Sequence, residues 1–379
     1  MVLLCQMAPD FEDVWNEHLG DLGVYRIAME EDHFENRRAW TSTTRQWYSK
    51  ASHRSPSIGR LYHGLATCAK ANTLEQLFFY TKSLCVRVPF LDARDSLATF
   101  FKQNMDEEVT GAMDITTVFV RTHGLLFSEK DHNQFIAQSE VLTEHLAASA
   151  CQWTEDGYHI SIVLHCALLE YGSERNPMMR IIKQGRAEEG DLAMSHTQKA
   201  DEMTPDPNQK FNLALGFVSR AHRAMFGSTG DEKTYSYLHV ALVFLHHMSQ
   251  FPNAMALVGN TMPWREICSF LNRTMQSCSS VQKIESDDLP HSVSRDARPL
   301  PEDFALRGLL WTETYYPDEW FSKIGADTNK TGRLTSWMLQ ERMDRCLWLG
   351  CRIAKSGVWL QYDKTVGRFR ANSRFDAEL

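Results

Sequence analysis

The sequence predicts an all-α protein: a tetratricopeptide-like helical part over residues 1–110, then stacked antiparallel helical hairpins over residues 111–379. Three observations predict it. Apolar residues recur three and four apart in segment after segment, the period of a helix with one buried face. Only Ile115–Val120 is rich enough in β-branched residues to pass for a strand, and one strand cannot make a sheet. A glycine–aromatic pattern repeats near the N-terminus at the scale of a helical hairpin.

That repeat comes first in the chain. Pro56 and Pro89 lie 33 residues apart and enclose Gly64, Tyr80 and Ser83, near the glycine, aromatic and small positions of a tetratricopeptide repeat. Upstream, His18-Leu19-Gly20-Asp21 and Trp47-Tyr48-Ser49-Lys50-Ala51 make another copy, with a glycine-to-aromatic spacing of 28 against 16. The excess of 12 residues over Glu30–Thr41 predicts an enlarged turn between its two helices. Glycine lets one helix touch the next, and the aromatic fills the groove.

The later elements follow from periodicity. Leu74, Leu77, Phe78, Leu84 and Val88 keep one apolar face, opened by Asn72 and Glu75 at capping-box spacing. Phe211, Leu215, Val218 and Met225 step likewise, as do Leu238, Leu242, Leu245 and Met248. Trp264, Ile267, Leu271 and Met275 repeat the pattern behind Pro263, a residue suited to a first helical turn. A last long helix over 334–353 carries Trp337, Met338, Leu347, Trp348 and Leu349. Residues 185–210 and 279–303, with their Gly-Asp, Thr-Pro-Asp-Pro and Arg-Pro-Leu-Pro runs, predict solvated linkers.

Composition bounds the function. With 43% apolar and 11% aromatic residues in 379, the chain is able to bury a core and is not disordered throughout. Its greasiest stretches, 160–169 and 237–248, are about half the ~20 residues a bilayer requires, so no membrane partner is expected. Met1–Leu4 followed by Cys5-Gln6 has no basic flank and does not read as a secretory leader. Nine scattered cysteines, an odd number, read as reduced thiols of the cytosol or nucleus. A net charge of -8 supplies no general basic field for nucleic acid, so any such contact must come from a local patch.

Catalytic motifs are missing from the sequence: no Gly-x-Gly-x-x-Gly, phosphate loop, Gly-x-Ser-x-Gly or His-Glu-x-x-His. The expectation is a protein with no enzymatic activity, cofactor or metal. Cys346 and Cys351 stand five apart with no histidine close behind, which suits small buried hydrophobes better than zinc ligands. His239, His246 and His247 share one helix, but no orienting partner is evident, so packing is the expected role. Asp327-Thr328-Asn329 resembles the aspartate entry of a metal-dependent nuclease, yet it sits in a loop and not at the end of a buried strand.

Charge is more informative. Residues 34–60 hold Arg37, Arg38, Arg45, Lys50, Arg54 and Arg60 against Glu35 alone. Residues 342–374 hold Arg342, Arg345, Arg352, Lys355, Lys364, Arg368, Arg370 and Arg374 against Asp344 and Asp363. Trp40, Trp47 and Tyr48 are interleaved in the first run, and Trp348, Trp359, Tyr362 and Phe369 in the second. Arginine with exposed aromatics attracts phosphate and stacks on bases; the alternative is a solvated helix face over a Trp-lined core.

Ordered motifs then bring in a family. Ile58-Gly59-Arg60-Leu61-Tyr62-His63-Gly64-Leu65-Ala66, Leu77-Phe78-Phe79-Tyr80-Thr81-Lys82-Ser83-Leu84 and Pro89-Phe90-x-x-Ala93-Arg94-Asp95-Ser96-Leu97 come first. Phe119-Val120-Arg121-Thr122-His123-Gly124 and His239-Val240-Ala241-Leu242-Val243-Phe244-Leu245 follow. Then come Leu300-Pro301-Glu302-Asp303-Phe304-x-x-Arg307-Gly308, Tyr316-Pro317-Asp318-x-Trp320-Phe321 and Leu347-Trp348-Leu349-Gly350-x-Arg352-Ile353-Ala354. Over about residues 15–370 the chain resembles the telomerase-activating Ever-Shorter-Telomeres family, which includes the nonsense-mediated mRNA decay adaptors. The resemblance implies a 14-3-3-like, tetratricopeptide-containing part followed by helical hairpins of a DNA/RNA-binding-type domain. It implies a non-enzymatic adaptor of the nucleus and/or cytoplasm. The implied partners are single-stranded RNA or telomeric DNA, and telomerase or mRNA-decay protein components. A purely protein-interacting helical module is the alternative.

Two departures bear on partners. On this resemblance the chain begins inside the 14-3-3-like part, leaving Tyr25 and Arg26 as the remnant of a phosphopeptide groove, and it stops before the nuclease domain some members carry. The position before Tyr25, an arginine in decay adaptors, is Val24, which cannot make charge-assisted bonds to phosphate. Arg26 points about 200° away from Val24 on a helix, so phosphopeptide binding is expected to be weak or absent.

Overall fold

Glycine and tyrosine set the first layer of packing. In a computed structural model describing residues 7–30, 33–106, 114–148, 157–188, 207–228, 232–290, 299–321 and 336–375, helix α1 (Glu12–Met29) lies antiparallel to α2 (Phe34–Arg54). A Cβ added at Gly20 would sit 2.6 Å from the Tyr48 ring, and one added at Gly64, on α3 (Gly59–Cys68), would be equally close to it. Tyr48 is therefore held between two glycine-bearing helices, and its hydroxyl donates to Asp21 Oδ1 at 2.8 Å. The predicted enlarged turn over Glu30–Thr41 is corrected here. Helix α2 already begins at Phe34 and runs 21 residues, so most of the extra length is helix.

Each further helix of this part packs on its predecessor: α4 (Thr73–Leu84), α5 (Ala93–Asp106) and α6 (Ile115–Ser128). Asn72 caps α4 by accepting the Glu75 N–H at 3.1 Å, as predicted, but the Glu75 carboxylate turns to Arg45 and not back to the cap. Helix α4 stops at Leu84; Val88 leaves its apolar face, half exposed, and bridges to Ile58. The strand-like run Ile115–Val120 opens α6 instead. The Asp114 carboxylate accepts the N–H groups of Thr116 and Thr117 at 2.9 and 3.1 Å, and Val118, Phe119 and Val120 are buried. A cap and a core outweigh β propensity.

By compactness the chain forms two units, Met1–Lys130 with Arg307–Leu310, and Asp131–Leu306 with Trp311–Leu379. In the first, the returning segment is fixed by main-chain contacts: Leu310 N–H donates to Cys85 O at 3.1 Å, and Leu309 bridges Val86. Gly308 turns at φ +86°, where a Cβ would meet Pro56 O at 1.9 Å, so no other residue fits.

The second unit is built around α11 (Tyr235–Ser249), buried on nearly every side, as expected of a helix apolar all round. Its neighbours include α8 (Gly157–Leu168), α10 (Pro207–Gly227), α12 (Pro252–Val258), α15 (Pro301–Leu306) and α16 (Ser336–Ala354). Helix α7 (His132–Ala148) packs on α10, α9 (Pro177–Glu188) on α12, and α13 (Trp264–Met275) on α10 and α16. Residues 189–206, most of the first predicted linker, lie outside the described residues, as do Met1–Gln6 at the start. The second predicted linker is only partly solvated where it is described. It forms the short helix α14 (Val281–Glu285) against α16 and buries Ile284, Leu289, Leu300, Glu302 and Asp303. A hairpin, β1 (Leu360–Asp363) with β2 (Arg368–Ala371), is the one sheet among the described residues, in antiparallel register with Tyr362 opposite Phe369. No helix of the described residues is long and apolar enough to cross a membrane.

Candidate nucleic-acid interface

Burial divides the candidate arginines before any ligand is considered. Arg342 and Arg345 are withdrawn from the surface, contrary to their place in the basic run. Arg342 makes a two-pronged pair with Glu302, Nε and Nη2 donating at 2.7 and 2.8 Å. Arg345, fully buried, donates to both oxygens of Asp303 at 2.7 and 2.8 Å and to Glu341 at 2.5 Å. Burial alone would raise the Glu302 carboxyl, but the Arg342 guanidinium and His239 hold it well below the usual range. Glu302 and Asp303 on α15 are thereby tied to Arg342 and Arg345 on α16, and neither guanidinium is left to offer a phosphate.

His239 belongs to the same cluster, its Nδ1 3.2 Å from Glu302 and its Nε2 3.0 Å from the Tyr315 hydroxyl. The orienting partners absent from its own stretch of sequence come from 63 and 76 residues downstream. His246 packs on Trp348, and burial together with Arg352 brings its pKa down to about 4. Cys346 is buried, and burial pushes the Cys351 thiol up to about 12; both are free thiols. Asp327 to Asn329 lie outside the described residues.

On α2 and at the start of α3 the basic residues fall into two groups. Arg45, Arg54 and Arg60 are engaged, with Glu75, with Glu12 at 2.7 Å and with Glu17 at 2.6 Å respectively. Arg37, Arg38 and Lys50 are exposed and make no ion pair among the described residues. Helical geometry keeps them apart: Arg38 lies about 120° from Lys50. Arg37 and Arg38 form the accessible pair, close to the N-terminal end of the helix. Arg26 pairs with Glu30 and leans over the Trp40 ring at 5.9 Å, while Tyr25 is exposed.

The C-terminal run is sorted the same way. Arg352 stacks on Trp348 at 5.0 Å and meets Asp287 at 2.5 Å; Lys355 shares that carboxylate at 3.0 Å. Arg368 and Arg370 stand on the solvent face of β2, either side of the buried Phe369. Asn272 clips that strand in place: its amide donates to Phe369 O and its Oδ1 accepts Phe369 N–H, both at 2.8 Å. No ion pair engages either arginine among the described residues, although Asp363 lies near. Strand alternation, invisible in a charge count, is the signal that separates them from Phe369.

Stacked helical hairpins with exposed arginines that make no ion pair among the described residues define a helical-repeat class of protein. The chain belongs to the family whose model is described as the Est1 DNA/RNA binding domain, which matches residues 44–315. The nonsense-mediated mRNA decay factor SMG7 of Danio rerio is 25% identical over 305 residues, covering 77% of this chain and 23% of the relative. The chain thus spans about a quarter of that curated relative's length. The crystal structure of Est1 and Cdc13 aligns with TM-score 0.64 at 11% identity, over 94% of this chain and 71% of that one, a likeness of fold.

Proposed function

We propose that this chain is a non-enzymatic adaptor of telomere maintenance or mRNA quality control, acting in the nucleus and/or cytoplasm, that contacts single-stranded RNA or DNA. The observation that carries the contact is the hairpin pair Arg368 and Arg370, solvent-facing and rigidly backed by Asn272. Arg37 and Arg38 supply a further cationic pair on α2. The family description supports a nucleic-acid role, and the named relatives support telomerase or decay components as protein partners.

Fluorescence anisotropy with labelled single strands, in rising salt, tests it. Each phosphate contact removed should flatten the log–log salt slope by about 0.7. Arg368→Ala/Arg370→Ala should therefore weaken binding across sequences and shallow the slope by about 1.4 if both contact phosphate. Binding that is absent at low salt, or insensitive to salt, refutes the nucleic-acid contact and leaves a protein-interaction module.

A further inference from the structure

We infer that Trp359 is a stacking platform for an unpaired base, set beside Arg368 and Arg370 on the solvent face of the β1–β2 hairpin. The inference rests on the strand contact proposed for those two arginines. It adds what they do not supply, a grip on the base itself.

The register places the three side chains together. Residues directly opposite in an antiparallel pair share a face. Gln361 with Arg370 and Asp363 with Arg368 therefore look outward, while Leu360 and Phe369 are buried beneath. The ladder continues one step past the strands, where Asn372 N–H donates to Trp359 O at 2.9 Å. By the same alternation Trp359 falls on the side of Gln361 and Arg370, extending the row that Arg368 begins.

The indole is braced from behind. It stacks at 27° and 6.3 Å on Trp264, which is 1% exposed and donates its own indole N–H to Gly259 O at 2.6 Å. Gly259 has no side chain where the ring arrives, and a Cβ there would collide with the Trp359 indole nitrogen. Trp359 is half-buried, so part of its surface stays in water while the rest is held. A ring already fixed loses little rotamer freedom when a base settles on it.

Charge on this face favours a polyanion. Arg368 and Arg370 stand about 7 Å apart along one strand. Asp363, the acid beside them, turns to the hairpin tip, its Oδ1 accepting the Thr365 N–H and hydroxyl at 2.9 and 2.6 Å. Arg374, exposed just past β2, adds another cation and leans over the Phe375 ring at 5.8 Å. A strand laid along β2 meets guanidinium groups with its phosphates and an indole with a base, the two contacts that single-strand binders combine. A duplex keeps its bases stacked on one another and has none to lend.

The test compares three labelled probes on the full chain by fluorescence anisotropy: an oligothymidylate of about 12 nucleotides, the same strand with abasic residues, and a duplex of equal length. The intact strand should bind about 10-fold more tightly than the abasic one. Trp359→Ala should erase that preference and keep the salt slope, whereas Trp359→Phe, which retains a ring against Trp264, should keep most of it. Arg368→Ala/Arg370→Ala should do the reverse, flattening the slope and leaving the preference. Equal binding of intact and abasic strands by the unaltered protein, with the salt slope present, overturns the platform and spares the phosphate contact. So does a preference that survives Trp359→Ala, or a duplex bound as tightly as the intact strand. No binding of any probe at low salt overturns the contact and the platform together.

Discussion

Arg345 shows how far a side chain's charge underdetermines its role. In sequence it belongs to a basic run with Arg352 and Arg368; in the fold it is fully buried between Asp303 and Glu341. The partner carboxylates decide, and Asp303 lies 42 residues upstream, in a stretch whose prolines and serines read as a linker. Arg368 keeps the exposure its sequence suggests because strand alternation turns it outward. The two arginines should therefore answer differently to neutralisation. Arg345→Met strands Asp303 without its cation, at a cost of about 3–5 kcal/mol, and should lower the thermal midpoint by about 10 °C. Arg368→Ala should leave that midpoint within about 1 °C and act on nucleic-acid affinity alone. A thermal scan of both variants checks this, and equal midpoints would contradict the assignment of Arg345 to the core.

At the scale of elements, helices with a clear apolar stripe were legible beforehand. The α4, α10, α11 and α13 positions follow their three-and-four spacing, and Asn72 caps where its spacing with Glu75 says it should. What local pattern could not give was a choice made by distant packing. Ile115–Val120 has strand composition but folds as a helix because Asp114 caps it and the core accepts its β-branched face. The hairpin β1–β2 hides among polar residues, its register held by Asn272, 97 residues before Phe369. Glycine positions were readable as close approaches, yet that Tyr48 serves both Gly20 and Gly64 appears only in three dimensions. Asn272 makes the element-scale prediction. Asn272→Ala removes both bonds to Phe369 and leaves its N–H and C=O without them, a loss of about 1–3 kcal/mol. Hydrogen exchange over 360–371 should then accelerate about 10-fold or more while α11 keeps its protection. Uniform acceleration, or none, would contradict a local clip.

Across the whole molecule, net charge of -8 and family motifs indicated the class, but the ledger of buried titratable groups could only come from the fold. Three histidines matter most: His123 in the first unit, His165 and His222 in the second, all fully buried. Burial lowers His123 and His222 to about 3 from 6.5, and burial with the neighbouring His222 takes His165 well below its usual value. His222 has its Nδ1 2.8 Å from the Tyr237 hydroxyl and its Nε2 3.3 Å from His165 Nε2. Protonating both imidazoles sets like charges together in a dry core. The consequence for stability has a definite sign. Above pH 6.5 neither state binds the proton, while below it the unfolded chain takes up protons that the folded chain refuses, so stability falls with pH. By pH 5 each histidine contributes about 2 kcal/mol of destabilisation. Glu302 acts in a lower window: its carboxyl is depressed by Arg342 and His239, so its contribution holds above the ordinary glutamate value of 4.5 and fades only as pH drops further. Urea midpoints at pH 7.5, 6 and 5 should therefore decline before the carboxylates begin to titrate. A flat profile across that range would mean that the imidazoles reach water in the folded state.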